Sequence, residues 1–143
     1  MAKRLLCAID GSHASEKAVD VAIELAKGLG AHLTFLTVER VSPETASGSP
    51  FWDSTVLGAA ELQAHRELET AAARAKAAGL NNVECIKTYG HNIAAAIIDY
   101  TEKHGHDHIV MGSVGRTGVA RLLLGSIAAE VVAKAHCPVT VVR

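Results

Sequence analysis

Short apolar runs alternate with amphipathic stretches along the chain, and this alternation predicts its secondary structure. The run KRLLCAID at residues 3–10 has the continuous apolar character of a strand that is covered on both faces. Residues 14–29 repeat apolar side chains at helical spacing, with Ser12 as the predicted N-cap and Gly30 as the predicted stop. The predicted buried face of this helix consists of Ala18, Val19, Ala22, Leu25, Ala26 and Leu29.

The same alternation continues to the end of the chain. The remaining predicted elements are a strand at 31–39, a loop at 40–54, a long solvated helix at 55–78, a strand at 82–89, a helix at 92–103, a strand at 107–113, a helix containing 128–135, and a strand at 138–143. Strands that alternate with helices predict a parallel sheet with right-handed crossovers. We therefore expect one α/β domain over residues 1–143. Trp52 falls in the predicted loop. The sequence leaves two roles open for this residue: part of a lid over a site, or an anchor for a partner.

Composition excludes several classes of function. The formal net charge is −1 and the chain has no run of Lys and Arg, so we expect no nucleic-acid partner. No segment approaches the roughly 18 consecutive apolar residues of a membrane-spanning helix, so we expect no membrane partner. The three cysteines Cys7, Cys85 and Cys137 show no C-x-x-C spacing and lie in apolar strands, which predicts buried thiols in a reducing cytoplasm.

Four of the twelve glycines lie in one stretch, GSVGRTGVARLLLGS at residues 112–126. The spacing does not match the Gly-x4-Gly-Lys-Ser/Thr of a Walker A loop. It does not match the dinucleotide-binding pattern Gly-x-Gly-x-x-Gly either, because Val114 occupies the position of the second glycine. Another reason is needed for glycines at the end of a predicted strand.

Glycines at this point let backbone N–H groups approach a ligand closely. Gly125 and Ser126 open the last predicted helix, whose N-terminus carries unpaired N–H groups and a partial positive charge. Ser126 is expected to cap this helix or to donate its hydroxyl to a ligand, while Arg116 and Arg121 supply positive charge. The stretch thus predicts a polyphosphate site, with a glycine-rich turn that only packs tightly as the open alternative.

The spacing Gly112-x2-Gly115-x9-Gly125-Ser126 resembles the G-2x-G-9x-G-S/T signature of the ATP-binding branch of the universal stress protein family. The resemblance extends over the chain, through AIDGS after the first strand, DHIVMGS, LLLGS and the terminal CPVTVVR. It implies a three-layer α/β/α fold with five parallel strands in the order 3-2-1-4-5, of the Rossmann-like or adenine nucleotide alpha hydrolase-like type.

The resemblance also implies that ATP lies between strands one and four, with Mg²⁺ or Mn²⁺ held through its phosphates and water and no direct protein ligand. The implied contacts are Ala8, Asp10 and Val38 around adenine and ribose, Met111 against the nucleoside, Gly112, Ser113, Val114, Gly115, Arg116, Thr117 and Gly118 around ribose and phosphates, and Gly125, Ser126, Ile127 and Ala128 at the helix N-terminus. Val114 and Ile127 depart from the residues usual in the family, and Val114 is expected to weaken phosphate contacts.

Two further groups of polar residues have competing interpretations. Asp10 is the carboxylate at the end of the first strand, and a ligand contact is favoured over a simple cap of the following turn. His104, His106 and His108 suggest a metal site, but they span a helix stop and a strand start, so their side chains diverge. A solvated turn is therefore the favoured interpretation of the three histidines.

Together these features predict a cytoplasmic ATP-binding regulatory protein of the stress response. No catalytic residue is predicted, because nothing in the sequence offers a general base placed for in-line attack, so hydrolysis should be slow or absent. The apolar strand 138–143 predicts a sheet edge that pairs with its copy in a homodimer, and a regulatory protein partner of unknown identity is expected. The alternatives are a nucleotide-independent dimeric interaction protein, a true ATPase or nucleotidyl transferase, and a flavodoxin-like electron carrier.

Overall fold

The computed structural model describes residues 3–40, 50–114 and 124–143, with residues 50–61 described by their backbone only. Five strands and four helices alternate in this part of the chain. The strands are β1 (Arg4–Ala8), β2 (His32–Arg40), β3 (Val83–Gly90), β4 (His108–Gly112) and β5 (Val139–Val142); the helices are α1 (His13–Leu29), α2 (Pro50–Ala77), α3 (Ile93–Lys103) and α4 (Ser126–Lys134). The predicted α/β alternation is confirmed.

The five strands form one sheet in the order β3-β2-β1-β4-β5, and every neighbouring pair is parallel. This is the order that the family resemblance implied. The chain leaves β1 towards β2 on one side and later returns to β4 on the other side, so the strand order reverses beside β1. In sheets of this kind a crevice opens beyond the carboxyl ends of the strands at the point of reversal.

Two helices cover each face of the sheet, which gives three layers. One core lies under α1 and α2, and it contains Leu5 and Cys7 of β1. The other core lies under α3 and α4, and it contains Leu6 of β1. Because successive side chains of a strand point to opposite faces, both faces of β1 are apolar, and this explains the continuous run in the sequence.

Helix α1 begins and ends as predicted. The Ser12 hydroxyl accepts a hydrogen bond from the Ser15 N–H at 3.1 Å, and Gly30 ends the helix in the left-handed conformation, with φ of 63°. The predicted buried face is wrong at one position, since Leu29 is half exposed while Ile23 is buried. Leu29 lies in the last turn, where Gly30 redirects the chain towards β2.

Two predictions about helix α2 are wrong. It begins at Pro50, so residues 50–54 are helical and the predicted loop is shorter than 40–54; residues 41–49 lie outside the described part. Its exposed side chains alternate with a buried stripe, so the expected solvated helix in fact packs on the sheet. The stripe consists of Ala64, Leu68, Ala71 and Ala75. Among the described residues no helix is long and apolar enough to cross a membrane.

The three cysteines are free thiols with different environments. Cys7 is fully buried in the central strand, and burial raises the pKa of its thiol. The prediction of a buried thiol is wrong for Cys85, which is exposed because β3 is an edge strand with a single neighbour. Cys137 is half buried beside the start of β5.

Candidate functional site

A cavity of about 390 Å³ opens where the carboxyl ends of β1, β2 and β4 meet. Small-molecule sites usually have volumes of roughly 300–1,000 Å³. Every predicted contact residue in the described part of the chain lines this cavity: Ala8, Asp10, Val38, Met111, Gly112, Ser113, Val114, Gly125, Ser126, Ile127 and Ala128. The predicted contacts Gly115, Arg116, Thr117 and Gly118, with Arg121, lie outside the described residues.

The cavity also has an apolar wall that the sequence reasoning missed. Ile93 and Ile97, one turn apart on α3, line it together with Leu36 of β2. Their spacing of four residues indicates a buried helix face, but the sequence does not reveal that this face reaches the carboxyl end of the sheet. With Ala8 and Met111 they provide the apolar surface that a flat aromatic base requires.

Hydrogen bonds between side chains and backbone N–H groups hold the turn between β1 and α1. The Ser12 N–H donates to Asp10 Oδ1 at 2.9 Å, and the Asp10 N–H donates to Ser15 Oγ at 3.1 Å. Gly11 between them has φ of 80°, which a side chain would disfavour. Asp10 therefore caps the turn and also lines the cavity, so the two interpretations of this carboxylate are compatible.

Gly112 at the end of β4 is a packing glycine. A Cβ at this position would lie 2.9 Å from the carbonyl carbon and Cβ of Ala14 and 2.9 Å from the Ser15 nitrogen. Its φ is not positive, so the need for glycine comes from the close approach of α1. The tight-packing alternative thus applies to this glycine, which also contributes its backbone to the cavity.

The N-terminus of α4 faces the same cavity and carries no side-chain cap. Gly125 is the N-cap and Ser126 is the first helical residue, so of the two alternatives predicted for Ser126 the cap is excluded and the hydroxyl contact to a ligand stays a prediction. The first intrahelical bond runs from the Ala129 N–H to the Gly125 carbonyl at 2.9 Å. The N–H groups of Ser126, Ile127 and Ala128 precede that bond and lie at the positive end of the helix dipole.

Backbone hydrogen bonds fix this helix end against β4. The Gly125 N–H donates to the Ser113 carbonyl at 2.6 Å, and the Ser113 N–H donates to the Val142 carbonyl at 2.7 Å. The Ser12 hydroxyl donates to the Val114 carbonyl at 3.4 Å, which ties the α1 turn to the same segment. An uncapped helix N-terminus therefore stands beside an apolar pocket.

A family model described as the universal stress protein family matches residues 1–143. The chain belongs to the universal stress protein family. It is 34% identical over 145 residues to universal stress protein MJ0531 of Methanocaldococcus jannaschii, covering 99% of this chain and 82% of that protein. Among solved structures, universal stress protein UspA from Lactobacillus plantarum superposes with a TM-score of 0.88 at 28% identity, covering 99% of this chain and 98% of that chain. A universal stress protein in complex with cAMP superposes with a TM-score of 0.77 at 27% identity, covering 99% and 97%.

Val114 and Ile127 depart from the residues usual in the universal stress protein family, but both leave the backbone groups at the cavity in place. Val114 presents its carbonyl to Ser12. Ile127 packs its side chain against the core under α3 and α4 and leaves its N–H at the helix N-terminus. Neither substitution removes a backbone donor from the cavity.

The three clustered histidines of this universal stress protein do not converge on a metal ion. Across the described residues, no group of three or more His, Cys, Asp or Glu side chains is arranged to hold one. His104 is exposed, whereas His108 Nε2 lies 2.8 Å from Thr140 Oγ1. The predicted solvated turn is wrong for His106, which is only 7% exposed and has Nε2 3.0 Å from Thr34 Oγ1. The sequence could not show this, because the burial depends on β2, which lies far away along the chain.

Proposed function

We propose that the protein binds ATP in the cavity at the carboxyl ends of β1, β2 and β4 and acts as a regulatory protein of the stress response. The observation that carries the proposal is the uncapped N-terminus of α4, which faces an apolar pocket of suitable size. Phosphate groups bind at such helix ends through backbone N–H groups. A relative at 27% identity has been crystallised with cAMP, which supports a nucleotide as the ligand class.

In the proposed pose, the base and ribose lie against Ala8, Val38 and Met111, with Asp10 close to the ribose. The phosphates extend towards the backbone of residues 112–114 and the first turn of α4. This arrangement is supported by the lining of the cavity, which includes the apolar side chains of Ala8, Val38 and Met111 and the uncapped first turn of α4. The glycines at 115 and 118 would complete the phosphate contacts.

A divalent cation would accompany the phosphates. Three carboxylates, Asp10, Glu39 and Glu67, line the cavity, against one described cation, Arg40. Bringing a polyphosphate near three carboxylates is electrostatically unfavourable unless positive charge comes with it. We therefore propose that Mg²⁺ or Mn²⁺ enters with ATP and is held by its phosphates and by water, where it would neutralise phosphate charge.

We propose that hydrolysis is slow or absent. In the described part of the cavity no histidine is among the lining residues. The Asp10 carboxylate accepts the N–H of its own turn, which gives it a structural role. ATP would thus serve as a bound ligand that reports or stabilises a state of the protein.

We also propose that the protein is a cytoplasmic homodimer with a regulatory protein partner. Strand β5 has one neighbour, β4, so one edge of Val139–Val142 lacks a strand in the described sheet. Antiparallel pairing with the same strand of a second copy would satisfy both edges. Free thiols at Cys7, Cys85 and Cys137 suit a reducing compartment such as the cytoplasm.

The direct test is to identify what the protein binds. Protein purified without added nucleotide is denatured by heat, and the released ligand is identified by chromatography; ATP or ADP at near-stoichiometric yield supports the proposal. Protein stripped of ligand is then titrated calorimetrically with ATP, ADP and adenosine in the presence of Mg²⁺. If none of the three binds at millimolar concentration, the proposed function is wrong.

A further inference from the structure

A basic cluster lies at the opposite end of the sheet from the cavity. We define it as Arg4, His32, His104 and His106. Arg4 and His32 are direct partners across the β1–β2 ladder, so their side chains share one face of the sheet. His104 stacks on Tyr100 of α3 with ring centroids 3.9 Å apart, and the same Tyr100 ring is 5.8 Å from the His106 ring.

His106 is the buried member of the basic cluster. Its Nε2 lies 3.0 Å from Thr34 Oγ1, and its backbone N–H donates to the Thr101 carbonyl in the last turn of α3 at 3.0 Å. Among the described residues its Nδ1 is buried and has no hydrogen-bond partner. A protonated imidazole is a donor at both nitrogens, so the protonated ring would carry a charge and an N–H at Nδ1 that has no acceptor among the described residues.

The titratable groups that act on His106 are mostly basic side chains. They are Arg4 of β1, His32 of β2 and His104 beside α3, with Glu84 of β3 as the one carboxylate among those that act on it. Burial, and then the charges of Arg4, His104 and His32, lower the pKa of His106 from 6.5 to about 4, while Glu84 acts in the opposite direction. At neutral pH the folded arrangement therefore favours the neutral imidazole of His106.

Helix α3 connects the basic cluster to the cavity. Ile93 in its first turn and Ile97 one turn later both line the cavity. Its last turn carries Tyr100 and Thr101, which contact the cluster. The Thr101 hydroxyl donates to the Ile97 carbonyl at 2.7 Å, so a residue that lines the cavity and a residue that contacts the basic cluster lie one helical turn apart.

We propose that acid and nucleotide act on opposite ends of α3: protonation of His106 releases the last turn of the helix and weakens nucleotide binding, and a bound nucleotide resists that protonation. The nucleotide half of this proposal rests on the proposed function. Reciprocity is required, because two ligands that bias one equilibrium must affect each other's affinity by the same factor.

The sign and size of the effect follow from proton linkage. The pKa of His106 is lower in the folded state, so its contribution is fully present above pH 6.5 and is lost as the pH falls towards 4. If opening of the last turn restores an ordinary pKa, the opening equilibrium constant should rise about 20-fold between pH 7 and pH 5. A helix end that His106 does not control would show no such change.

The first arm of the test measures hydrogen exchange of α3 amides at pH 7 and pH 5, corrected for intrinsic rates. Wild type should show the roughly 20-fold increase in opening, and His106→Gln, which keeps a donor near Thr34 but does not titrate, should not. His65→Gln is the matched control, because His65 is exposed on α2, and it should behave as wild type. Equal pH responses in wild type and His106→Gln would overturn the proposal.

The second arm measures ATP affinity at both pH values in wild type and His106→Gln. ATP itself titrates near pH 6, so only the difference between the two proteins reports on His106. A larger loss of affinity at pH 5 in wild type supports the coupling, and equal losses overturn it. Absence of ATP binding at pH 7 would overturn the proposed function. The hydrogen-exchange measurement would then still test whether protonation of His106 releases the last turn of α3.

A third measurement needs no variant and so does not depend on how well His106→Gln folds. The pKa of His106 is measured by NMR in wild type with and without ATP. Because protonated molecules open, the apparent value without nucleotide should lie above that of the closed form, and ATP should lower it towards about 4. A value near 6.5 in both states, or one that ATP does not lower, would contradict the proposal.

Discussion

Replacing Gly112 by alanine tests the close packing of β4 against α1. The added Cβ would meet three atoms of α1 at 2.9 Å, and two of them are backbone atoms that no rotamer change can move. Ordinary contacts of a Cβ lie at 3.4–4 Å, so the helix must shift by several tenths of an ångström. Overpacking of this kind costs about 1–3 kcal/mol of unfolding free energy. For a chain of this length the melting temperature should fall by roughly 3–10 °C.

Gly28→Ala is the matched control, and its expected effect on the unfolding free energy has the opposite sign. Gly28 is in helix α1, and a Cβ there would meet nothing within 4 Å. The substitution should stabilise the protein by about 0.5–1 kcal/mol, because alanine loses less backbone entropy in a helix than glycine. Urea denaturation with an unchanged m-value measures both variants. If Gly112→Ala is as stable as wild type, α1 does not lie this close to β4 and the packing argument for Gly112 is wrong.

Three further predictions concern other parts of the molecule. Ser12→Ala should lower the unfolding free energy by about 0.5–2 kcal/mol, because it removes the N-cap of α1, and urea denaturation checks this. Val141→Lys should convert the proposed homodimer into monomer or aggregate in light scattering; an unchanged dimer would exclude β5 as its interface. Under native conditions Cys85 should react with a thiol reagent and Cys7 only after unfolding, since Cys7 is fully buried; equal rates would contradict the described burial.

The topology was predictable because each layer leaves a distinct pattern in the sequence. Strands buried on both faces, such as β1, give continuous apolar runs, and a helix with one buried face gives the spacing seen in α1. The sequence pattern places Pro50 in a loop and so misses the start of α2, although proline is common in the first turn of a helix.

The candidate site was only partly predictable, since its walls come from segments that are distant in sequence. The glycine stretch and Asp10 stand at strand ends, where the pattern alone indicates a site. Ile93 and Ile97 join the cavity only because α3 packs on the face of the sheet that reaches it. His106 looks like part of a polar turn, and its burial becomes evident only when Thr34 and the last turn of α3 come together.

The central claim is that the first turn of α4 binds phosphate through its backbone N–H groups. Ser126→Pro tests it directly, because proline is tolerated at the first helical position and, of the backbone groups, removes only that N–H. Gly125 already has φ of −69° and ψ of 163°, the extended conformation that a following proline requires. Ser126→Ala is the control, since it removes the hydroxyl and keeps the N–H.

Calorimetric titration of the three proteins with ATP and adenosine is the decisive measurement. Loss of one hydrogen bond to a charged group costs about 1.5–3 kcal/mol, so Ser126→Pro should bind ATP roughly 10- to 150-fold more weakly than Ser126→Ala. Adenosine should bind all three proteins equally, because it carries no phosphate. If Ser126→Pro binds ATP as tightly as wild type, the N-terminus of α4 is not the phosphate site and the proposed function loses the observation that carries it.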